Sequence, residues 1–172
     1  MSYRELLLGC GNRRQKHVHP PGRSEWSALT TLDCDPDCSP DVLWDLNSSK
    51  PLPFAADTFD ELHAYEVLEH VGRQGDWQGF FREFSEYWRI LKPDGVLFGS
   101  CPDVTSRWAW GDPGHTRIIG PECLTFLSQA QYAAQVGKTP MTDYRAIYKA
   151  DMELVASHRQ GELYYFGLRA IK

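Results

Sequence analysis

Apolar and polar positions divide the first part of the chain into short extended segments. Leu6-Leu7-Leu8 runs into Gly9-Cys10-Gly11, the pattern of a buried strand entering a tight turn. Residues 12–27 are polar with Pro20-Pro21-Gly22 in their midst, which excludes a long helix there. Ala28 to Leu32 predicts a second strand closing on Asp33-Cys34-Asp35-Pro36. Asp41 to Leu46 predicts a third extended segment, after which Pro51 and Pro53 punctuate a loop. Phe59 to Tyr65 predicts a fourth strand, and Glu66 to Val71 a helical turn closed by Gly72.

Residues 76–91 carry the strongest helical pattern. Trp77, Phe80, Phe81, Phe84, Tyr87, Trp88 and Leu91 share one face, with Asp76 as N-cap. Lys92-Pro93-Asp94-Gly95 stops the helix and turns into a fifth strand, Val96 to Gly99. Residues 102–120 form a loop long enough to suggest function. Pro121-Glu122 opens a second helix with Cys123, Phe126, Leu127, Ala130 and Ala134 on its apolar face, ended by Gly137. Tyr144, Ala146, Tyr148, Ala150, Met152 and Leu154 alternate as one face of a strand. Gln160-Gly161 turns it back into Leu163 to Ile171. Strands alternating with helices, then a terminal hairpin, predict an α/β sheet that is mostly parallel with an antiparallel edge.

Composition narrows the class. With 172 residues, 42% hydrophobic and 24% charged, the chain is expected to form one globular domain spanning residues 1–172. A net charge of −5 argues against a protein that coats nucleic acid. No apolar run reaches the roughly 20 residues of a membrane span, and Leu6-Leu7-Leu8 is too short for a signal peptide. Five cysteines, an odd number without framework spacing, then read as reduced thiols of a cytoplasmic protein. His17, His19, Cys34 and Cys38 match no common zinc spacing, so no metal is expected.

The candidate chemistry starts at the glycine turn. Gly9-x-Gly11 after a strand lets a ligand lie against the backbone, and Asp33, about 20 residues on, can accept both hydroxyls of an adenosine ribose. Together they indicate a ligand containing adenosine, without separating NAD from S-adenosylmethionine. A phosphate-binding helix, which NAD would need, is opposed by Pro20-Pro21.

Further motifs follow in order: Leu8-Gly9-Cys10-Gly11, Leu32-Asp33, Asp45-Leu46, Leu52-Pro53-Phe54, Thr58-Phe59-Asp60, Val67-Leu68-Glu69-His70-Val71 and Leu91-Lys92-Pro93-Asp94-Gly95. From about residue 6 to 101 the chain resembles the class I SAM-dependent methyltransferases. The resemblance implies a Rossmann-like, mostly parallel seven-stranded sheet with a C-terminal antiparallel hairpin, and S-adenosyl-L-methionine as cofactor. It places Gly9, Cys10 and Gly11 by the methionine part, Asp33 on the ribose, and Cys34, Asp45 and Leu46 around the adenine. Tyr65 and Glu66 would border the sulfonium. Leu7 stands where the family usually has an acid, and Arg13 where it has a third glycine.

On the acceptor side, His70 and His115 are the expected catalytic groups, since imidazole titrates near neutrality. Gly111-Asp112-Pro113-Gly114-His115-Thr116-Arg117 resembles an element found after the fifth strand in small members. With it, Asp103, Trp108, Trp110, Asp112 and Arg117 are the expected substrate-binding residues. No Asn-Pro-Pro-Tyr-like motif follows the fourth strand, which argues against base-amino methylation of nucleic acid. The basic run Arg13, Arg14, Lys16 and Arg23 reads as a solvated face. The resulting expectation is a SAM-dependent methyltransferase acting on an O, N or S nucleophile of a small molecule. Two alternatives stay open: a methyltransferase-fold binding or partner subunit, and a nucleic-acid methyltransferase. The absence of covering helices before the first strand predicts a homodimer or a lid built from residues 102–120.

Overall fold

A computed structural model describes residues 2–172. Its strands are β1 (Arg4–Leu8), β2 (Ala28–Asp33), β3 (Val42–Leu43), β4 (Phe59–Tyr65), β5 (Leu91–Pro102), β6 (Met152–Gln160) and β7 (Leu163–Ala170). Helices are α1 (Trp77–Ile90), α2 (Trp108–Gly111), α3 (Pro121–Leu124) and α4 (Gln129–Gln135), with 3-10 turns at Pro36–Cys38, Leu68–His70 and Thr125–Leu127. The strands make one 7-stranded sheet in the order β3-β2-β1-β4-β5-β7-β6. Pairs from β3 to β5 are parallel, and β7 runs antiparallel to both β5 and β6. This is the α/β, Rossmann-like arrangement expected from the sequence.

Several boundaries differ from the sequence expectation for identifiable reasons. The third strand shrinks to Val42–Leu43 at the sheet edge. Lys92–Gly95 does not separate helix from strand: Leu91 already pairs with Phe59, and the register then jumps to Glu61↔Val96. The turn residues bulge out of β5, with Asp94 at φ +61. The helix expected from Pro121 breaks at Ser128, whose side chain accepts from the Gln131 amide and caps a new helix. Ala130 and Ala134 consequently face solvent, and Tyr132 takes the buried position. Residues 144–148 form a turn, with the Ile147 and Tyr148 amides donating to the Tyr144 carbonyl, and β6 begins only at Met152. Aromatic packing sets that turn, since Phe81 meets Tyr144 at 5.1 Å and Tyr148 at 4.9 Å between ring centroids.

The two faces of the sheet are built from different chemistry. Alternation puts Leu6, Leu8, Leu62, Ala64, Leu97, Tyr164, Phe166 and Leu168 on one face. Phe81, Phe84, Tyr87 and Ile90 of α1 close the core over it. Asp76 caps α1 as expected, accepting from the Gly79 amide at 2.9 Å, while Trp77 of the expected apolar face stays largely exposed. The alternate positions, Glu5, Glu61 and His63, are fully buried on the other face beneath residues 12–27. Lys16, expected to be solvated, is buried there and ion-pairs with Glu5, and with Glu61 at 3.0 Å. Tyr3 donates to Glu61 at 2.6 Å, and Trp26 packs edge-on to His63. A polar network thus stands where a second helical layer would bring apolar side chains.

Candidate functional site

In open α/β sheets ligands collect beyond the carboxyl ends of the strands, where the connections diverge to opposite sides. Here β1 ends in Gly9, whose φ of +59 suits glycine. A Cβ at that position would lie 2.3 Å from Val67 Cγ2, so backbone and the β4 loop touch directly. Gly11 also has positive φ (+48), which aims its amide at Asp33 Oδ2, 2.8 Å away. Asp33 Oδ1 accepts from the Asp35 amide at 3.0 Å. The carboxylate at the end of β2 is therefore locked by two amides while keeping lone pairs for a further donor. Beside it, Trp44 donates its amide to the Asp33 carbonyl, and Asp45 Oδ1 caps the next turn through the Asn47 amide.

Gly9, Asp33, Cys34, Asp45, Leu46 and Val67 line one notch, with His70 at its rim. Cys34 is exposed at the notch edge, where partial desolvation and the nearby Asp33 and Asp45 carboxylates push its thiol up. Four expected cofactor residues, Cys10, Gly11, Tyr65 and Glu66, do not line this notch, Glu66 lining a neighbouring cavity instead. Cys10 is buried, its amide donating to the Leu32 carbonyl, and Tyr65 turns its phenol to the polar face, 2.7 Å from His63 Nδ1. Leu7 is buried on that same alternate side of β1, so an acid here would not face the notch without rearrangement.

Across His70 lies a second, larger cavity of about 490 Å³, lined by Glu66, Glu69, His70, Ser106, Trp108, Asp112 and His115. It brings both expected catalytic histidines together, with ring centroids 4.6 Å apart. His70 Nδ1 lies 3.0 Å from the Gly114 carbonyl, and His115 Nδ1 2.9 Å from the Trp108 carbonyl. A carbonyl only accepts, so each Nδ1 carries a proton, and in the neutral ring each Nε2 keeps a lone pair. Glu66 sits at φ +53, an uncommon conformation for a residue with a Cβ, held by its amide donating to the Ser100 carbonyl.

The loop 102–120 is fixed rather than loose. Thr116 donates its amide to the Glu69 carbonyl at 2.8 Å, and Arg117 Nε donates to the Leu68 carbonyl at 2.8 Å while pairing with Glu83 at 2.7 Å. Arg117 is thus a buried strut behind the cavity and not part of its lining. Asp103 is likewise spent on Thr105 and Arg159. Trp110 is 60% exposed and outside the cavity, whereas Trp108 and Asp112 line it as expected. Sequence reasoning missed Val67, Ser106 and above all Glu69, whose carboxylate is 98% removed from solvent by position in the Leu68–His70 turn (2% exposed). Burial pushes its pKa up.

Residues 29–99 match the family model of a methyltransferase domain. No protein of curated function matches the sequence. Among solved structures, the chain is similar to one from the complex between the Haloferax volcanii Trm112 methyltransferase activator and a methyltransferase. That likeness has 13% identity and a TM-score of 0.60, covering 99% of this chain and 83% of the other. N-methyltransferase NodS from Bradyrhizobium japonicum WM9, in complex with S-adenosyl-L-homocysteine, gives 14% identity and a TM-score of 0.57 over 99% of this chain and 79% of that one. A SAM-dependent methyltransferase from Archaeoglobus fulgidus gives 15% and 0.56, over 97% and 86%.

Proposed function

We propose that the chain is a class I SAM-dependent methyltransferase and that it methylates an O, N or S nucleophile of a small-molecule acceptor held between His70, His115, Trp108 and Asp112. The observation that carries this reading is the single wall, His70, shared by the Asp33 notch and the 490 Å³ cavity. A cofactor in the notch and an acceptor in the cavity would meet there.

The notch, about 90 Å³ as it stands, supports the reading through contacts for part of the cofactor rather than by enclosing it whole. Gly9 leaves backbone where a side chain would intrude, and the locked Asp33 carboxylate is preset to accept two ribose hydroxyls without reorganising. In this proposal Asp45 accepts from the adenine amino group, Cys34 and Leu46 form its apolar walls, and Gly9, Cys10 and Gly11 offer backbone to the methionine part. Glu66 and Tyr65 follow β4 toward the sulfonium, Glu66 through its carboxylate and Tyr65 through backbone only. When bound, the cofactor supplies a methyl group on a positively charged sulfur that leaves as a neutral sulfide. The protein's remaining task is alignment of the nucleophile within about 3–3.5 Å of that methyl. The Nε2 lone pairs of His70 and His115 orient the acceptor's N–H, O–H or S–H, and Trp108 covers it. Asp103, Trp110 and Arg117 hold or flank the wall of this site. All 172 residues act as one domain in this reading, and a homodimer is its expected assembly, reported by light scattering.

Thermal unfolding with S-adenosylhomocysteine tests the cofactor half. Ligand at 100 times its dissociation constant adds about 2.7 kcal/mol, or roughly 5–10 °C in a domain of this size. Asp33→Ala should abolish the rise, and NAD should give none. Transfer of labelled methyl into the low-molecular-mass fraction of a cell extract, and not into RNA or DNA, tests the acceptor half. Label confined to nucleic acid would overturn it.

A further inference from the structure

We propose that Glu69, His70 and His115 bind one divalent first-row transition-metal ion in the wall of the larger cavity. One ligand atom from each residue lies within 4.8 Å of the others. Tetrahedral coordination at bond lengths of about 2.0–2.2 Å requires roughly 3.4 Å between ligand atoms. The trio is thus more open than a loaded site by up to about 1.4 Å, a gap that binding would have to close.

Three further observations favour a cation. First, neither carboxylate oxygen of Glu69 has a geometrically formed hydrogen-bond partner although the residue is only 2% exposed, and the side-chain donor beside it is the Cys101 thiol, a weak one. Leaving such a group unsatisfied is costly, and a bound cation is the direct remedy. Second, no lysine or arginine pairs with Glu69 among the described residues. The nearby Arg117 is fully committed to Glu83 and to the Leu68 carbonyl. The molecule offers an internal contrast: Glu5, Glu61 and His63 form a second cluster of the same composition class, and there Lys16 fills the centre. Third, both imidazoles are already oriented as ligands. Each donates Nδ1–H to a backbone carbonyl, the outer-shell arrangement that fixes metal-binding histidines, leaving Nε2 to coordinate.

Two imidazoles and one carboxylate select zinc, cobalt, iron or manganese over magnesium and calcium. Three protein ligands leave coordination positions open to the cavity, where Glu66 and Asp112 add negative charge around the ion. The inference deepens the proposed site: with an ion bound, the two Nε2 atoms hold the metal, and its open positions, rather than the imidazole lone pairs, face the acceptor.

The test uses the full chain freed of metal with a chelator, titrated with Zn²⁺, Co²⁺ and Mg²⁺ by calorimetry, with Co²⁺ also followed by its visible absorption. One Zn²⁺ or Co²⁺ per chain is expected, with Mg²⁺ far weaker. Glu69→Gln and His115→Asn should each weaken Co²⁺ binding more than tenfold and change the absorption bands, while Cys34→Ser should change neither. Circular dichroism establishes that each variant is folded, and two independent variants keep the test decisive if one is not. Absence of saturable Zn²⁺ and Co²⁺ binding overturns the site. So does binding that survives both ligand substitutions or is lost in Cys34→Ser. Loss of metal binding with an intact S-adenosylhomocysteine shift would remove the metal site and leave the methyltransferase reading standing.

Discussion

Substituting Lys16 by Met removes one cation from the buried face of the sheet and leaves its partners in place. The lysine side chain is 2% exposed and those of Glu5 and Glu61 1% each, although a cavity of about 260 Å³ borders Glu5 and Lys16. Glu61 keeps its bonds from Tyr3 and His63, and Glu5 keeps the Ser27 amide, but two buried carboxylates then share one site with no positive charge between them. Breaking a buried ion pair from one side costs about 3–5 kcal/mol. At roughly 2–4 °C per kcal/mol for a chain of this length, Tm should fall by about 6–20 °C. Because the isosteric stem of Met still fills the space against Trp26, the loss is electrostatic rather than a cavity effect. Urea unfolding at neutral pH, followed by tryptophan fluorescence, measures it. Adding Glu5→Gln to Lys16→Met should recover a sizeable part of the loss, since one uncompensated charge goes with it. A Lys16→Met loss below about 1 kcal/mol, the range of a surface pair, would refute the reading of this face as a closed ionic core.

Gly9→Ala should destabilise the protein and weaken S-adenosylhomocysteine binding together. Its φ is +59 and the new Cβ meets Val67, so calorimetry on Gly9→Ala and on the roomier pair Gly9→Ala/Val67→Ala should show partial rescue only in the second. The pH dependence follows from the same buried face. Burial, only partly offset by Glu61, holds His63 neutral below the ordinary imidazole range, so on acidification the unfolded chain takes up a proton that the folded chain refuses. Stability should therefore be full above about pH 6.5 and fall as pH drops through the range below it, with a shallower fall in His63→Gln. Burial opposes ionisation of Glu61, but hydrogen bonds from His63, Tyr3 and Lys16 win and lower its carboxyl to about 2. A second loss is expected as pH falls from the usual carboxylate range toward that value, measurable as Tm against pH.

Where periodicity and chain connectivity act locally, the sequence was informative: Leu6 to Leu8, Phe59 to Tyr65 and the Asp76-capped helix fall where the pattern puts them. Gly9, Asp33 and Asp45, read together from the sequence, line one notch because strand ends in a parallel sheet converge. What stayed hidden depends on distant partners. Lys16 looks like surface charge until β1 and β4 bring Glu5 and Glu61 beneath it. Arg117 sits in a motif that suggests substrate, yet Glu83 of α1 captures it. Ser128 breaks a pattern that the alanines around it would have continued. Glu69 looked like the first half of a motif, and its isolation is visible only once the 102–120 loop closes over it.

The Tyr65 phenol lies 3.1 Å from both the amide and the carbonyl of Val18 and 2.7 Å from His63 Nδ1. With His63 neutral, its Nε2–H points at Glu61, so Nδ1 must accept the phenolic proton and the phenol in turn accepts from Val18. Amide, phenol, imidazole and carboxylate then hand donors along in one direction, from the loop into the sheet. Such a chain has a length. Surface loops ordinarily absorb an inserted residue at little cost, but one residue added between Gly11 and Lys16 would carry Lys16 past its carboxylates and Val18 past Tyr65. The segment that replaces a helix in this protein is therefore a measured spacer, and its residue count is as much a part of the fold as the strand order.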